Sequence, residues 1–231
     1  MTDRPILFSA PMVRALLAGT KTQTRRVLKP QPETFPLESG EQCLVYPMHV
    51  EGESVPRIAM GDGRNGVITL QKLPFAVGDR LWVKETWTHT GTGVWAVGDV
   101  HRALDGRVAY RATEDIPGAG WFPSIFMFRK LSRITLTVTD VRVERLQDIS
   151  EADAIAEGIY CTSLGLGGLY SIDRPGDKAR GGATISRPAG WEKASHAYCH
   201  LWERINGKDS WDANPWVVAV SFDVREGNID A

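Results

Sequence analysis

The sequence predicts an α+β domain, a mixed β-barrel carrying a few helices and long loops. Three observations point there. Apolar and polar residues alternate in several separated stretches, most clearly at 81–87, 134–143 and 216–224. Helical periodicity is confined to short stretches near 11–18, 151–157 and 191–206, so strands and helices do not alternate as a parallel α/β sheet requires. The 23 Gly and 13 Pro divide the chain by many turns, while 42% hydrophobic and 24% charged residues are typical of a globular core and its surface. At 231 residues a single domain over 1–231 is expected, with loop-rich insertions near 30–74 and 162–190.

The first strand is expected over 4–9, closed by Ala10-Pro11. In the helix that follows, Val13, Leu16 and Leu17 share a face, proline is tolerated in the first turn, and Gly19 supplies the stop. Residues 29–74, rich in Pro, Gly and Glu, read as hairpin-like excursions and loops. Gly78-Asp79-Arg80 then turns the chain into LWVKETW, where Leu81, Val83, Glu85 and Trp87 lie on one face. Short strands are expected at 94–97 and 108–112. Ile134, Leu136 and Val138 alternate in one register, and Val141 and Val143 continue in the other; this slip predicts a bulge or bend near Thr139-Asp140. Ser150 is placed to cap a helix running to Glu157-Gly158, and the Gly-rich stretch 162–190 reads as a mobile loop or flap. Trp191, Ala194, Tyr198, Leu201, Trp202 and Ile205 mark an amphipathic helix stopped by Gly207. Trp216, Val218, Val220, Phe222 and Val224 form one face of a closing strand.

The densest chemistry lies at 19–26, GTKTQTRR. Lys21 and Thr24 could act as base and nucleophile, because a threonine hydroxyl is weak until a neighbour takes its proton. In a regular strand they would point to opposite faces, about 10 Å apart along the chain, so cooperation requires a turn or bulge between them. Glu85 is the odd member of an apolar strand face. If buried, it needs a cation, a donor or a solvated cleft, and Lys21 is a possible partner. Periodicity equally allows the opposite face, with Trp82 and Thr86, to be the buried one and Glu85 to be solvated. The plain alternative for 19–26 is a polar, solvated connection.

A net charge of −1 and a pI near 6.5 exclude the strongly basic background of a protein living on long nucleic acid, although Arg14, Lys21, Arg25, Arg26 and Lys29 form a local basic concentration. Eight Trp, Trp82, Trp87, Trp95 and Trp121 among them, offer rings for base stacking, or simply fill the core. Cys43, Cys161 and Cys199 are widely spaced without a CxxC, which suggests neither a disulfide framework nor a zinc knuckle. His196 and His200 lie four apart without an HExxH pattern, so packing or solvation is expected and no metal. Ser9 lacks a G-x-S-x-G frame, and no phosphate-binding or dinucleotide glycine motif occurs. The first residues do not read as a secretory signal and no stretch is apolar enough to span a bilayer, so a cytoplasmic protein with no membrane partner is expected.

The order of GTKTQTRR at 19–26 and GDRLWVKETW at 78–87 resembles the ASCH domain family, and VRVERLQDIS at 141–150 is similar to its bacterial and phage or prophage branch. The resemblance implies a PUA-like β-barrel, whose relatives bind RNA. Some small members are amidohydrolases that remove the acyl group from N4-acetylcytidine and similar N4-acylated cytosines, using a lysine, a threonine and a glutamate. Those residues match Lys21, Thr24 and Glu85. The resemblance then implies that Lys21 deprotonates Thr24 for attack on the amide carbonyl, while Glu85 orients Lys21 or carries a proton to the leaving amine. Direct attack by water, with Thr24 positioning it, is the variant. Arg26 and Ser9 are then expected to hold substrate and Trp87 or Trp121 to stack on the base, with no cofactor and no metal. The expected partner is a nucleoside or modified base. RNA binding or cleavage is the alternative, since another member of the superfamily is described as a ribonuclease. The chain is longer than the minimal amidohydrolases, and GWFPSIFMFR at 120–129 places phenylalanines where more polar residues are expected, as an apolar rim or as core.

Overall fold

The computed structural model describes residues 2–32, 44–48, 57–61, 67–89, 108–162, 168–173 and 190–231. In chain order, β1 (Asp3–Leu7) leads into α1 (Ala10–Leu17) and β2 (Gln23–Val27), after which β3 (Leu44–Met48), β4 (Arg57–Gly61) and β5 (Val67–Lys72) form a separate antiparallel sheet. Next come β6 (Arg80–Lys84) and the pair β7 (Trp87–His89) and β8 (Val108–Tyr110). The long β9 (Ile134–Arg145) is followed by α2 (Glu151–Ala156), the hairpin of β10 (Tyr160–Thr162) and β11 (Leu169–Ser171), α3 (Ala194–Asn206) and finally β12 (Trp216–Glu226). The main sheet has the order β1-β6-β9-β12-β2, with β1 and β6 parallel and the other pairs antiparallel.

Local chemistry explains the boundaries. Pro11 sits in the first turn of α1, and Gly19, at φ 67°, lets the chain leave the helix. The turn before β6 is closed by buried Asp79, whose carboxylate accepts from the main-chain N–H of Thr2 (2.8 Å) and Ala76 (3.1 Å). Ser150 caps α2 by accepting from the Asp153 N–H at 3.1 Å. The expected irregularity in β9 is a β-bulge: Ser221 faces Asp140 and Phe222 faces Val138, leaving exposed Thr139 as the extra residue. It returns Val141 to the same face as Val138, since Val220 and Phe222 are two apart on β12 and lie opposite them.

Two cores lie on opposite faces of the sheet. Ile6, Leu81, Val83, Leu136, Val220 and Phe222 pack against Val13 and Leu16 of α1. Val217, one residue out of phase with Val218, joins Leu146, Ala154, Ala197, Tyr198 and Trp202 under α2 and α3. A third, smaller cluster gathers Trp87, Met127 and Leu131, with Phe122 and Phe128 against them. The latter two phenylalanines of the 120–129 segment are therefore core, whereas Ile125 and Phe126 are exposed.

The fold is mixed α+β with one main mixed sheet, but the described residues do not close into a barrel, which corrects the expected architecture. β1 and β2 are its two edges, and no ladder joins them among the described residues. A side chain spans the gap instead: Arg26 on β2 donates from Nη2 to the Leu7 carbonyl at 2.8 Å. The expected strand at 94–97, Cys43, Trp95 and most of 162–190 lie outside the described residues. Among those described, no helix is long and apolar enough to cross a membrane. Because Leu136 is fully buried at the sheet centre, Leu136→Ala is expected to cost about 2–5 kcal/mol, read as a lower midpoint in urea unfolding without a change in slope.

Candidate functional site

The chain leaves α1 with the N–H groups of Thr20 and Lys21 both on the Ala15 carbonyl (3.0 and 3.1 Å). Lys21 then forms an isolated antiparallel bridge with Glu157, and the Thr22 N–H donates to Ala156 O at 2.9 Å. Regular strand begins only at Gln23. The Lys21 side chain donates to the Gln23 carbonyl at 2.9 Å, and among the described residues no hydrogen bond joins Lys21 Nζ to Thr24.

Lys21 is fully buried. Its Nζ has two further acceptors, the Glu157 main-chain carbonyl at 2.8 Å and Glu157 Oε2 at 2.7 Å. Burial pushes the lysine pKa down, the charge and hydrogen bond of Glu157 oppose it, and Arg26 and Arg25 add to the lowering; the net position is below the ordinary lysine range. Glu157 is itself buried, with Oε1 facing Arg25 Nη1 at 3.3 Å and the Tyr198 hydroxyl at 3.4 Å. Arg25 also meets Glu144 at 2.6 Å and Asp153 at 3.3 Å, so two buried cations are answered by three carboxylates from β9, α2 and the turn after α2. Both partners of such a pair need each other, because either one left alone would be an uncompensated charge out of water.

Gly158 makes this seat possible. Its φ is 97°, and a Cβ there would lie 3.2 Å from Ala15 Cβ and 3.3 Å from Lys21 Cβ. Thr24 and Arg26, two apart on β2, share the strand's other face from Gln23 and Arg25. The Arg26 guanidinium and Lys21 Nζ both lie against the Phe8 ring, 5.3 and 5.6 Å from its centroid. A cavity of about 50 Å³ is lined by Thr24, Arg26, Glu157 and Tyr198 together with Met12, Leu201 and Trp202. That volume suits roughly one or two waters or a short acyl group. A hydroxyl, a carboxylate, a guanidinium and a phenol at one small cavity can hold a polarised carbonyl and move a proton.

The structure gives Glu85 a different partner from Lys21. The strand face bearing Leu81, Val83, Glu85 and Trp87 is the buried one. Both Glu85 oxygens accept from Arg133, Oε1 from Nε at 2.8 Å and Oε2 from Nη2 at 3.0 Å. Arg133 in turn lies over the Tyr110 ring, 4.1 Å from its centroid. The expectation that Glu85 needs a cation holds, but Arg133 supplies it and the carboxylate at Lys21 is Glu157. Trp87 is fully buried with Phe122 and Phe128 rings against it, at 4.9 and 6.3 Å, so a stacking role is corrected to a core one. Trp121 is half-buried beneath the Arg111 guanidinium at 5.1 Å. Ser9 is exposed at the N-cap of α1, its side chain making no capping bond. His196 and His200 are exposed on α3, the latter stacked on Trp191 at 4.8 Å.

Sequence reading missed Glu157 and Tyr198. The only sequence mark of Glu157 was the glycine after it, which read as an ordinary helix stop, and Tyr198 read as one more apolar position on α3. No family model, curated protein or solved structure matches the chain.

Two outcomes are expected of this seat. Gly158→Ala forces both a left-handed backbone and a close contact with Lys21, and should lower stability by about 1–3 kcal/mol in denaturant unfolding. Burial pushes the Asp153 carboxyl up, but bonds from Arg142, Ser150 and Gln23 and the Arg25 charge outweigh this and hold it at about 2. Its folded pKa is therefore below the unfolded value, so its contribution is complete above about pH 4 and fades as pH falls toward 2. Asp153→Asn should flatten that part of the acid limb of stability followed by circular dichroism.

Proposed function

We propose that the chain is a PUA-like, ASCH-type amidohydrolase that removes a short acyl group from the N4 position of cytidine or cytosine. The supporting observation is that Thr24 and Glu157, the carboxylate holding Lys21, meet with Arg26 at one small cavity. In this reading Lys21, as the free amine, takes the proton of the Thr24 hydroxyl, and Thr24 Oγ1 bonds to the acyl carbon. Arg26 steadies the oxygen that gains charge. The C–N4 bond breaks as the amine leaves with a proton, and water then hydrolyses the threonyl ester to release the carboxylic acid. The cavity takes the acyl group and the base lies at its mouth. Of the two roles open to Glu85, orienting Lys21 falls to Glu157; carrying a proton to the leaving amine is the other, and it requires the Arg133 pair to open.

One observation favours a second reading, a nucleobase or RNA-binding module without chemistry. All three donors of the Lys21 ammonium have acceptors at 2.7–2.9 Å, and a base must free one of these contacts. Incubation with N4-acetylcytidine and separation of cytidine from starting material decides between them. Folded Thr24→Val and Lys21→Met should each lose at least about 100-fold in kcat/KM, and Glu85→Gln reports whether that carboxylate takes part. If the folded wild-type chain turns over none of a panel of N4-acyl cytosines, the binding reading replaces hydrolysis, and RNA affinity should then weaken steeply with salt.

A further inference from the structure

We infer that Glu157 is the positioning residue of this site: its carboxylate and its own main-chain carbonyl hold Lys21 Nζ in place and set the pH range in which Lys21 gives up its proton. The inference rests on the proposal that Lys21 is the base. It assigns to Glu157 the part that sequence reading gave to Glu85.

Glu157 supplies two of the three acceptors at Nζ. Its Oε1 is anchored from β2 by Arg25 and from α3 by Tyr198, which leaves Oε2 directed at Lys21. The residue that follows, Gly158, is the one whose missing side chain lets the turn lie against Lys21 Cβ. Three separate features therefore serve one contact. The charges and dipoles around Lys21 come from every neighbouring element: the Gln23 carbonyl, Arg25 and Arg26 on β2, Glu157 after α2, and the Phe8 ring after β1. Tyr198 reaches it through Glu157, and Glu144 on β9 and Asp153 on α2 reach it through Arg25. Among the charged groups acting on Lys21, Glu157 favours its charged form, while Arg26 and Arg25 oppose it.

Glu157→Gln keeps the shape and the main-chain acceptor but removes the negative charge, so Lys21 should deprotonate at lower pH. The rising limb of kcat/KM against pH should move down by at least about one unit. Glu157→Asp keeps the charge, and its limb should stay within about half a unit of wild type. A purely structural role would reduce activity at all pH values without moving the limb. The Lys21 side chain can also be titrated without turnover by NMR of isotope-labelled lysine, with Lys21→Met assigning the signal. If the Lys21 midpoint in folded Glu157→Gln equals or exceeds that of wild type, the inference is overturned whether or not the chain hydrolyses anything. If the midpoint falls while wild type turns over no N4-acyl cytosine, Glu157 does control Lys21 and the amidohydrolase reading is what fails.

Discussion

A lysine with no exposed surface must be answered from inside the protein, and the seam between the two sheet edges is built around that requirement. Lys21 is held by a carboxylate, that residue's own carbonyl and a carbonyl two residues further on. Desolvating an ammonium and a carboxylate costs several kcal/mol per ion, recovered only with good geometry and complete hydrogen bonding. Around Lys21, Arg25 and Tyr198 take the other carboxylate oxygen, Glu144 and Asp153 lie at ion-pair distance from Arg25, and Gly158 yields the space a side chain would fill. β2, α2, α3 and β9 are tied together by this one network. Its specificity is that of paired charges, each of which has a single place where it is compensated.

β1 and β2 meet through Arg26 and the Leu7 carbonyl, with both Arg26 and Lys21 against the Phe8 ring. A backbone ladder would have filled that gap with hydrogen-bonded main chain. The small cavity lined by Thr24, Arg26 and Glu157 lies on the other side of β2, against α3. Glu85 and Arg133 obey the same physics elsewhere: a buried carboxylate, bidentate to one guanidinium that is itself stacked on Tyr110. Lys21–Glu157 and Arg133–Glu85 therefore obey one rule within one fold, and of these two pairs only the first contains a residue of the Lys21-to-Arg26 stretch.

Much of the fold was legible because its rules are local. Gly19 and Gly207 ended helices, Ser150 began one, and the register slip after Val138 marked a real bulge. Alternation placed Leu81, Val83 and Trp87 inward and brought Glu85 with them. That the sheet stays open rather than closing into a barrel was not legible in this way, since whether edge strands pair depends on how far a sheet curls, and no residue pattern encodes that distance. Trp87 as a stacking ring failed for a related reason: a tryptophan in a strand has the same sequence appearance whether a base or Phe122 covers it.

At the site, the sequence by itself determined which side chains bring chemistry: an amine and a hydroxyl three residues apart, a guanidinium beyond them, and a carboxylate on an apolar strand face that had to find a cation. Tertiary structure decided the pairing. Lys21 and Glu157 are 136 positions apart, and Glu85 and Arg133 are 48. Local propensity acts over a few residues, whereas a buried charge is compensated by whichever opposite charge the packing of distant elements brings within about 3 Å. Both carboxylates satisfy the same rule, and only the bridge between the segment after α1 and the turn after α2 gives Lys21 to Glu157.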